Sequence, residues 1–158
     1  MALSKIPSNQ QAALTFADMP AGCVIQYAQT ESNTATTISA NTAVNILTIN
    51  FTPKFTTSKI RISYCFHNLR KTSGAGVNTW WNSRIFLDGV QQGNMNGTTG
   101  YPETFSDHRY TYSAEGQFSS WSGSKAISLN GYVGSSGSTW VTQYQGATTS
   151  MTVMEIAQ

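Results

Sequence analysis

Only one stretch of the chain gathers groups that could move protons: Glu103, Asp107 and His108. Glycoside hydrolysis would need two carboxylates flanking a bond, one of them with a raised pKa. The seven Asp and Glu of the chain supply the residue type without marking such a pair. Metal ligation would need His67, His108 and Asp107 to converge, and their spacing supplies no ligand set. No Gly-x-Ser-x-Gly elbow is present, and neither Cys23 nor Cys65 stands in a nucleophile context. Gly74-Ala75-Gly76 and the glycines between Gly131 and Gly137 lack the strand, helix and lysine of a phosphate cradle. They read as turns. The expectation is a protein that is not an enzyme and uses no cofactor and no metal.

The aromatic residues are the stronger lead. Trp80, Trp81, Trp121 and Trp140 accompany seven Tyr and seven Phe. Adjacent residues of a strand point to opposite faces, so one of Trp80 and Trp81 is expected in the core. The other meets solvent, a neighbouring subunit or a ligand. Exposed rings beside Asn and Ser suit stacking on sugar, and equally suit packing between subunits. All four tryptophans are candidates for an interface or a glycan contact.

The elements that would position these groups are strands. Charged residues make up 10% of the chain and hydrophobic ones 39%, far fewer charges than usual without the loss of apolar residues that marks disorder. Hydroxyls and amides therefore solvate the surface. Alternation predicts strands at Cys23–Thr30, Thr34–Ser39, Ala43–Phe51 and Lys59–His67. In the third, Asn45, Leu47, Ile49 and Phe51 are expected inward. In the fourth, Ile60, Ile62, Tyr64 and Phe66 share a face. A Gly/Ser loop at 71–78 precedes Thr79–Leu87, where Asp88-Gly89 signals a type I′ hairpin. The return starts at Val90–Gln92 and gives way to a long loop, Gly93–Asp107. Further strands are expected at Arg109–Ser113, Gly116–Trp121, Lys125–Val133, Thr139–Gln145 and Ser150–Ala157. Many short strands without helical periodicity mean an all-β fold, a jelly-roll-like β-sandwich at residues 22–158.

Residues 1–21 differ. They carry Pro7 and Pro20 and no alternation, but they hold Leu3, Ile6, Leu14, Phe16 and Met19. A tail that is merely solvated has no use for such side chains, so this segment is expected to be an extended partner-binding arm. The net charge of +2 comes from scattered residues, which argues against nucleic acid as a partner. No signal peptide and no long apolar run is visible, so no membrane insertion is expected. Cys23 and Cys65 are expected as reduced thiols.

Three strand motifs carry a resemblance to a family. Gly22–Gln26 within MPAGCVIQYAQT, Ser58–Ile62 within TSKIRISYCF, and Thr152–Ile156 within TSMTVMEIAQ resemble small virion proteins of tailed phages, notably those of aquatic and cyanobacterial hosts. The leader ALSKIPSNQ resembles openings of such proteins. The resemblance implies a β-sandwich on the virion, assembled in the host cytoplasm and often trimeric. It implies a capsid decoration (cement) protein whose arm grips the major capsid protein or another virion protein. The alternative it leaves open is a short tail-fibre tip that recognises host surface glycan. A homotrimer would also bury exposed aromatic faces that a nearly uncharged monomer would leave prone to aggregation.

Overall fold

The computed structural model describes residues 19–39, 41–73, 79–101, 109–134 and 139–158. Ten strands follow one another: β1 (Val24–Ser32), β2 (Thr36–Ser39), β3 (Ala43–Phe51), β4 (Lys59–Ser73), β5 (Thr79–Leu87), β6 (Val90–Tyr101), β7 (Arg109–Ser119), β8 (Lys125–Val133), β9 (Thr139–Thr142) and β10 (Thr149–Ile156). A short 3-10 turn, Tyr144–Gly146, separates the last two.

The pairing is nested. β5 pairs with β6, β4 with β7, β3 with β8, β2 with β9 and β1 with β10, every pair antiparallel. The chain is thus one long hairpin folded about the β5–β6 turn. Asp88 and Gly89 at that turn have φ of 48° and 79°, the two positive values that a type I′ turn demands and that match the right-handed twist of the strands. Rolling the hairpin up adds two contacts, β10 to β4 and β8 to β5. One sheet then runs β1-β10-β4, with β7 also on β4 and the short β9-β2 pair continuing past β10; the other runs β3-β8-β5-β6. That is a jelly-roll β-sandwich.

The core fills with alternate residues of both sheets. Ile60, Ile62, Tyr64 and Phe66 of β4 are all buried, as are Ile127, Leu129 and Val133 of β8. Trp81 is fully buried, with Phe66 edge-on at 5.4 Å and Trp140 tilted at 6.0 Å between ring centroids. Gly131 makes room for it: a Cβ there would come within 2.3 Å of the Trp81 ring and 2.5 Å of Ile38. Tyr64 reaches Ser83 across the core at 2.5 Å, and its burial pushes the phenol above its ordinary pKa.

Several expectations are corrected. The long loop expected at Gly93–Asp107 is strand as far as Tyr101, because β6 continues opposite β5 from Gly97 to Tyr101. Its Gly, Asn and Thr residues hide the alternation. Arg109–Ser113 and Gly116–Trp121 are one strand, β7, running unbroken beside β4. Residues 71–73 of the loop expected at 71–78 are strand, since β4 extends to Ser73, and residues 74–78 lie outside the described residues. A register shift between Phe66 and Leu69 reverses the alternation there and turns Leu69 and Lys71 inward. In β3 a shift between Asn45 and Leu47 leaves Asn45 exposed rather than inward, while Val44 packs against the core.

Candidate functional site

Of the expected arm residues, Leu3, Ile6, Leu14 and Phe16 lie outside the described residues, as do Glu103, Asp107 and His108. Met19 is half-buried where the chain enters the domain. From there Gly22 N–H donates to Ala157 O and Ala157 N–H to Cys23 O, both at 2.9 Å. Residues 22–23 are therefore fastened to the end of β10.

The four tryptophans separate. Trp81 and Trp140 are fully buried, which removes both from the candidates for glycan or surface contact, since their rings fill the space between the sheets. Trp121 is half-buried, edge-on to Phe51 at 6.4 Å, with its indole N–H directed at Phe51 O at 3.4 Å. Trp80 is 41% exposed. Its ring lies over the backbone of Gly134, where a Cβ would fall 1.8 Å from Nε1, and Gly134 N–H donates to Trp80 O. On the same outer face Arg84 stacks on Tyr132 at 4.1 Å. Trp80 is thus a seated, outward-facing ring and the most exposed of the four.

A second feature lies on the outer face of the other sheet. β4 runs between β10 and β7 there, so Ser63 stands beside Thr152 and Glu115, and Cys65 beside Ser150 and Ser113. These short side chains, with the backbone of Tyr64 and Ala114, floor an open hollow of about 450 Å³. The hydroxyls of Ser63, Ser113, Ser150 and Thr152 engage no other side chain or backbone group among the described residues. Arg61 pairs with Glu115 at one end. On β1, Tyr27 lies opposite Met154 and Gln29 opposite Thr152, and Tyr27 is 71% exposed. At the other end Cys65 Sγ sits 3.8 Å from His67 Nδ1. Burial pushes the Cys65 thiol above its ordinary pKa, so it is not an activated thiolate. Both cysteines are free thiols. Sequence reasoning passed over this hollow, because serine on a strand reads only as an outward-facing residue. Its signal was the run of small polar residues at alternate positions of three strands that prove adjacent.

A third feature is a buried polar knot. Glu155 is fully buried, and its carboxylate accepts four hydrogen bonds. Gln26 Nε2 and Lys54 N–H donate to one oxygen at 2.7 and 2.8 Å, Phe55 N–H and the Ser58 hydroxyl to the other at 2.8 and 2.7 Å. Phe55 O, also within reach of Ser58, receives the Ser120 hydroxyl at 2.5 Å, which leaves the single Ser58 proton for the carboxylate. Burial alone would raise the Glu155 pKa, but the donors outweigh it and hold it below its ordinary value. A register shift between Val24 and Gln26 turns Gln26 inward to reach it.

Among the described residues no group of three or more His, Cys, Asp or Glu side chains could hold a metal, and no helix is long and apolar enough to cross a membrane. No protein-family model matches the chain, and no curated protein matches it. Among solved structures it is similar to dimeric latent PorU from Porphyromonas gingivalis, at 10% identity and a TM-score of 0.47, over 87% of this chain and 14% of that one. It is also similar to the EclA C-terminal domain, a sugar-binding protein, at 13% identity and a TM-score of 0.36, over 99% and 86% of the two chains. A third is VP2 of infectious bursal disease virus in a subviral particle, at 12% identity and a TM-score of 0.42, over 98% and 43%. The chain thus spans about a seventh of PorU and under half of VP2. At such identities and scores none of these says what this chain does.

Proposed function

We infer that the chain is a structural component of a phage virion surface, a capsid decoration protein acting as a homotrimer and not an enzyme. The observation that carries this reading is the Glu155 knot. The three motifs that resemble tailed-phage virion proteins lie on the neighbouring strands β1, β10 and β4, or at their edge. Each contributes one residue to the knot: Gln26, Glu155 and Ser58. Polar residues at inward positions are costly unless their hydrogen bonds are complete. In this chain the three motifs thus meet in one hydrogen-bonded unit, so the resemblance rests on residues that the fold brings together.

The geometry of the chain's entry supports an arm. Residues 19–23 join the domain at the edge strand β1 and are bonded to Ala157, so a pull on the arm is received by β10, which lies between β1 and β4. Among the described residues Trp80, Tyr27, Val24 and Val90 are the large exposed apolar side chains, and trimer contacts would cover a share of them. The second reading, a short tail-fibre tip that recognises host glycan, is favoured by the seated, outward Trp80. Immunogold labelling of virions with antibody against the domain decides between them. Label on the head is the expected result, and label confined to the tail tip would transfer the assignment to the fibre.

A further inference from the structure

We propose that the hollow on the outer face of the β1-β10-β4-β7 sheet is a binding site for a neutral saccharide. Nothing in this assignment depends on where the chain sits in a particle. A volume of about 450 Å³ is in the range of small-ligand sites, and the hollow is open, so a short oligosaccharide could lie across it.

The lining chooses the ligand chemistry. Ser63, Ser113, Ser150 and Thr152 present four hydroxyls that nothing in the described protein uses. Each can donate and accept, which is the pattern that sugar hydroxyls answer. An apolar ligand would strand them. A cation would find only Glu115 in the hollow, already paired with Arg61. An anion would meet Glu115, and Glu31 opposite Ser150 on β1, while the nearest guanidinium is engaged. Tyr27, diagonal to Thr152 across the β1–β10 pair, offers an exposed ring against which the C–H face of a pyranose can stack. The site binds and does not turn over its ligand. Its one carboxylate is ion-paired, and burial pushes its thiol above the ordinary pKa, away from the thiolate.

Cys65 in the floor makes the test direct, because Cys23 is exposed at the start of β1 and serves as the internal reference. The full chain is alkylated with iodoacetamide at mildly alkaline pH, and each cysteine is followed by mass spectrometry in the presence of lactose, maltotriose or 3′-sialyllactose. At least one neutral sugar should slow Cys65 by about fivefold or more at millimolar concentration and leave Cys23 unchanged, and sialyllactose should protect more weakly than lactose. Tyr27→Ala should raise the half-protecting concentration by up to about tenfold. Ser150→Leu, which fills the floor, should abolish protection, and Trp80→Ala on the opposite face should not alter it. Circular dichroism checks the fold of each variant; if Ser150→Leu does not fold, Thr152→Leu takes its place. Failure of both neutral sugars to protect Cys65 overturns the proposal. So does unchanged protection in the filled variant, or stronger protection by the sialylated sugar. Protection that grows with protein concentration alone would assign the hollow to a second copy of the chain instead.

Discussion

The strand β4 has a buried ionisable side chain near each of its ends, and the two are handled in opposite ways. Beside its start, Glu155 takes four hydrogen bonds, two from backbone amides of the 54–55 turn and one each from Gln26 and Ser58. Close to its other end Lys71 is 1% exposed, and its Nζ has no hydrogen-bond partner among the described residues. The carboxylate fixes how β1, β4 and β10 meet. The amine fixes nothing within the described protein and is simply carried by the packing around it. A buried polar group thus specifies a structure only when its partners come from different elements. Where partners are missing it is a cost.

The strongest way to break this contrast is to remove the knot. Glu155→Ala leaves the Lys54 and Phe55 backbone N–H groups without an acceptor, while Gln26 Nε2 keeps Thr52 O and the Ser58 hydroxyl can turn to Phe55 O, and should cost about 3–5 kcal/mol in urea unfolding. That is comparable with truncating the core residue Trp81, at about 3–5 kcal/mol. A loss below about 1 kcal/mol would mean that water replaces the carboxylate at no penalty. The opposite sign is expected at the other end: Lys71→Met, similar in length and without the amine, should stabilise by about 1–2 kcal/mol. Destabilisation there would show that Nζ has a partner in solution.

Acid sharpens the contrast further. The Glu155 pKa is lower in the folded chain than its ordinary value of 4.5, so its contribution is complete above that value and is lost as the pH falls through the folded one. Urea midpoints measured from about pH 6 to about pH 3 should therefore drop, and the drop should shrink in Glu155→Gln. The smallest effect is expected on the outer face, where Trp80→Ala should change stability by no more than about 0.5–1 kcal/mol.

How far the sequence disclosed this molecule depended on where apolar residues mark the alternation. β3, β5 and β8 have the boundaries that periodicity predicts, because Ile, Leu, Val, Phe and Trp occupy most of their inward positions, Ser83 and Gly131 being the exceptions. β6 past Gln92 reads as loop because Gly, Asn and Thr carry no such pattern, yet it is an edge strand of its sheet, recruited by pairing with β5. Shifts of register after Phe66 and around Ile46 defeat a period of two by inserting residues that count once too often. The opposite facing of Trp80 and Trp81 follows from adjacency, but which of them is inward depends on the β5–β8 register and the gap at Gly131. The hollow was hidden for a different reason: it exists only where three strands distant in sequence bring small side chains together. Glu155 was visible as a motif letter, and its role was not, since its partners lie about a hundred residues or more away.

The nested pairing also sets an order in time. The β5–β6 hairpin closes the shortest loop, and each pair outside it encloses a longer one, so closure entropy favours zipping outward from Asp88-Gly89. The β4–β7 and β3–β8 layers can assemble before β10 has been made. β1 cannot be seated then, because β10 is its neighbour in the sheet and follows the other nine strands in chain order. The earliest of these strands is the last to gain its place. Until β10 is seated, the flanks of β4 and β1 that it covers are open to another chain, so neighbouring copies have their best opportunity to exchange strands in that interval.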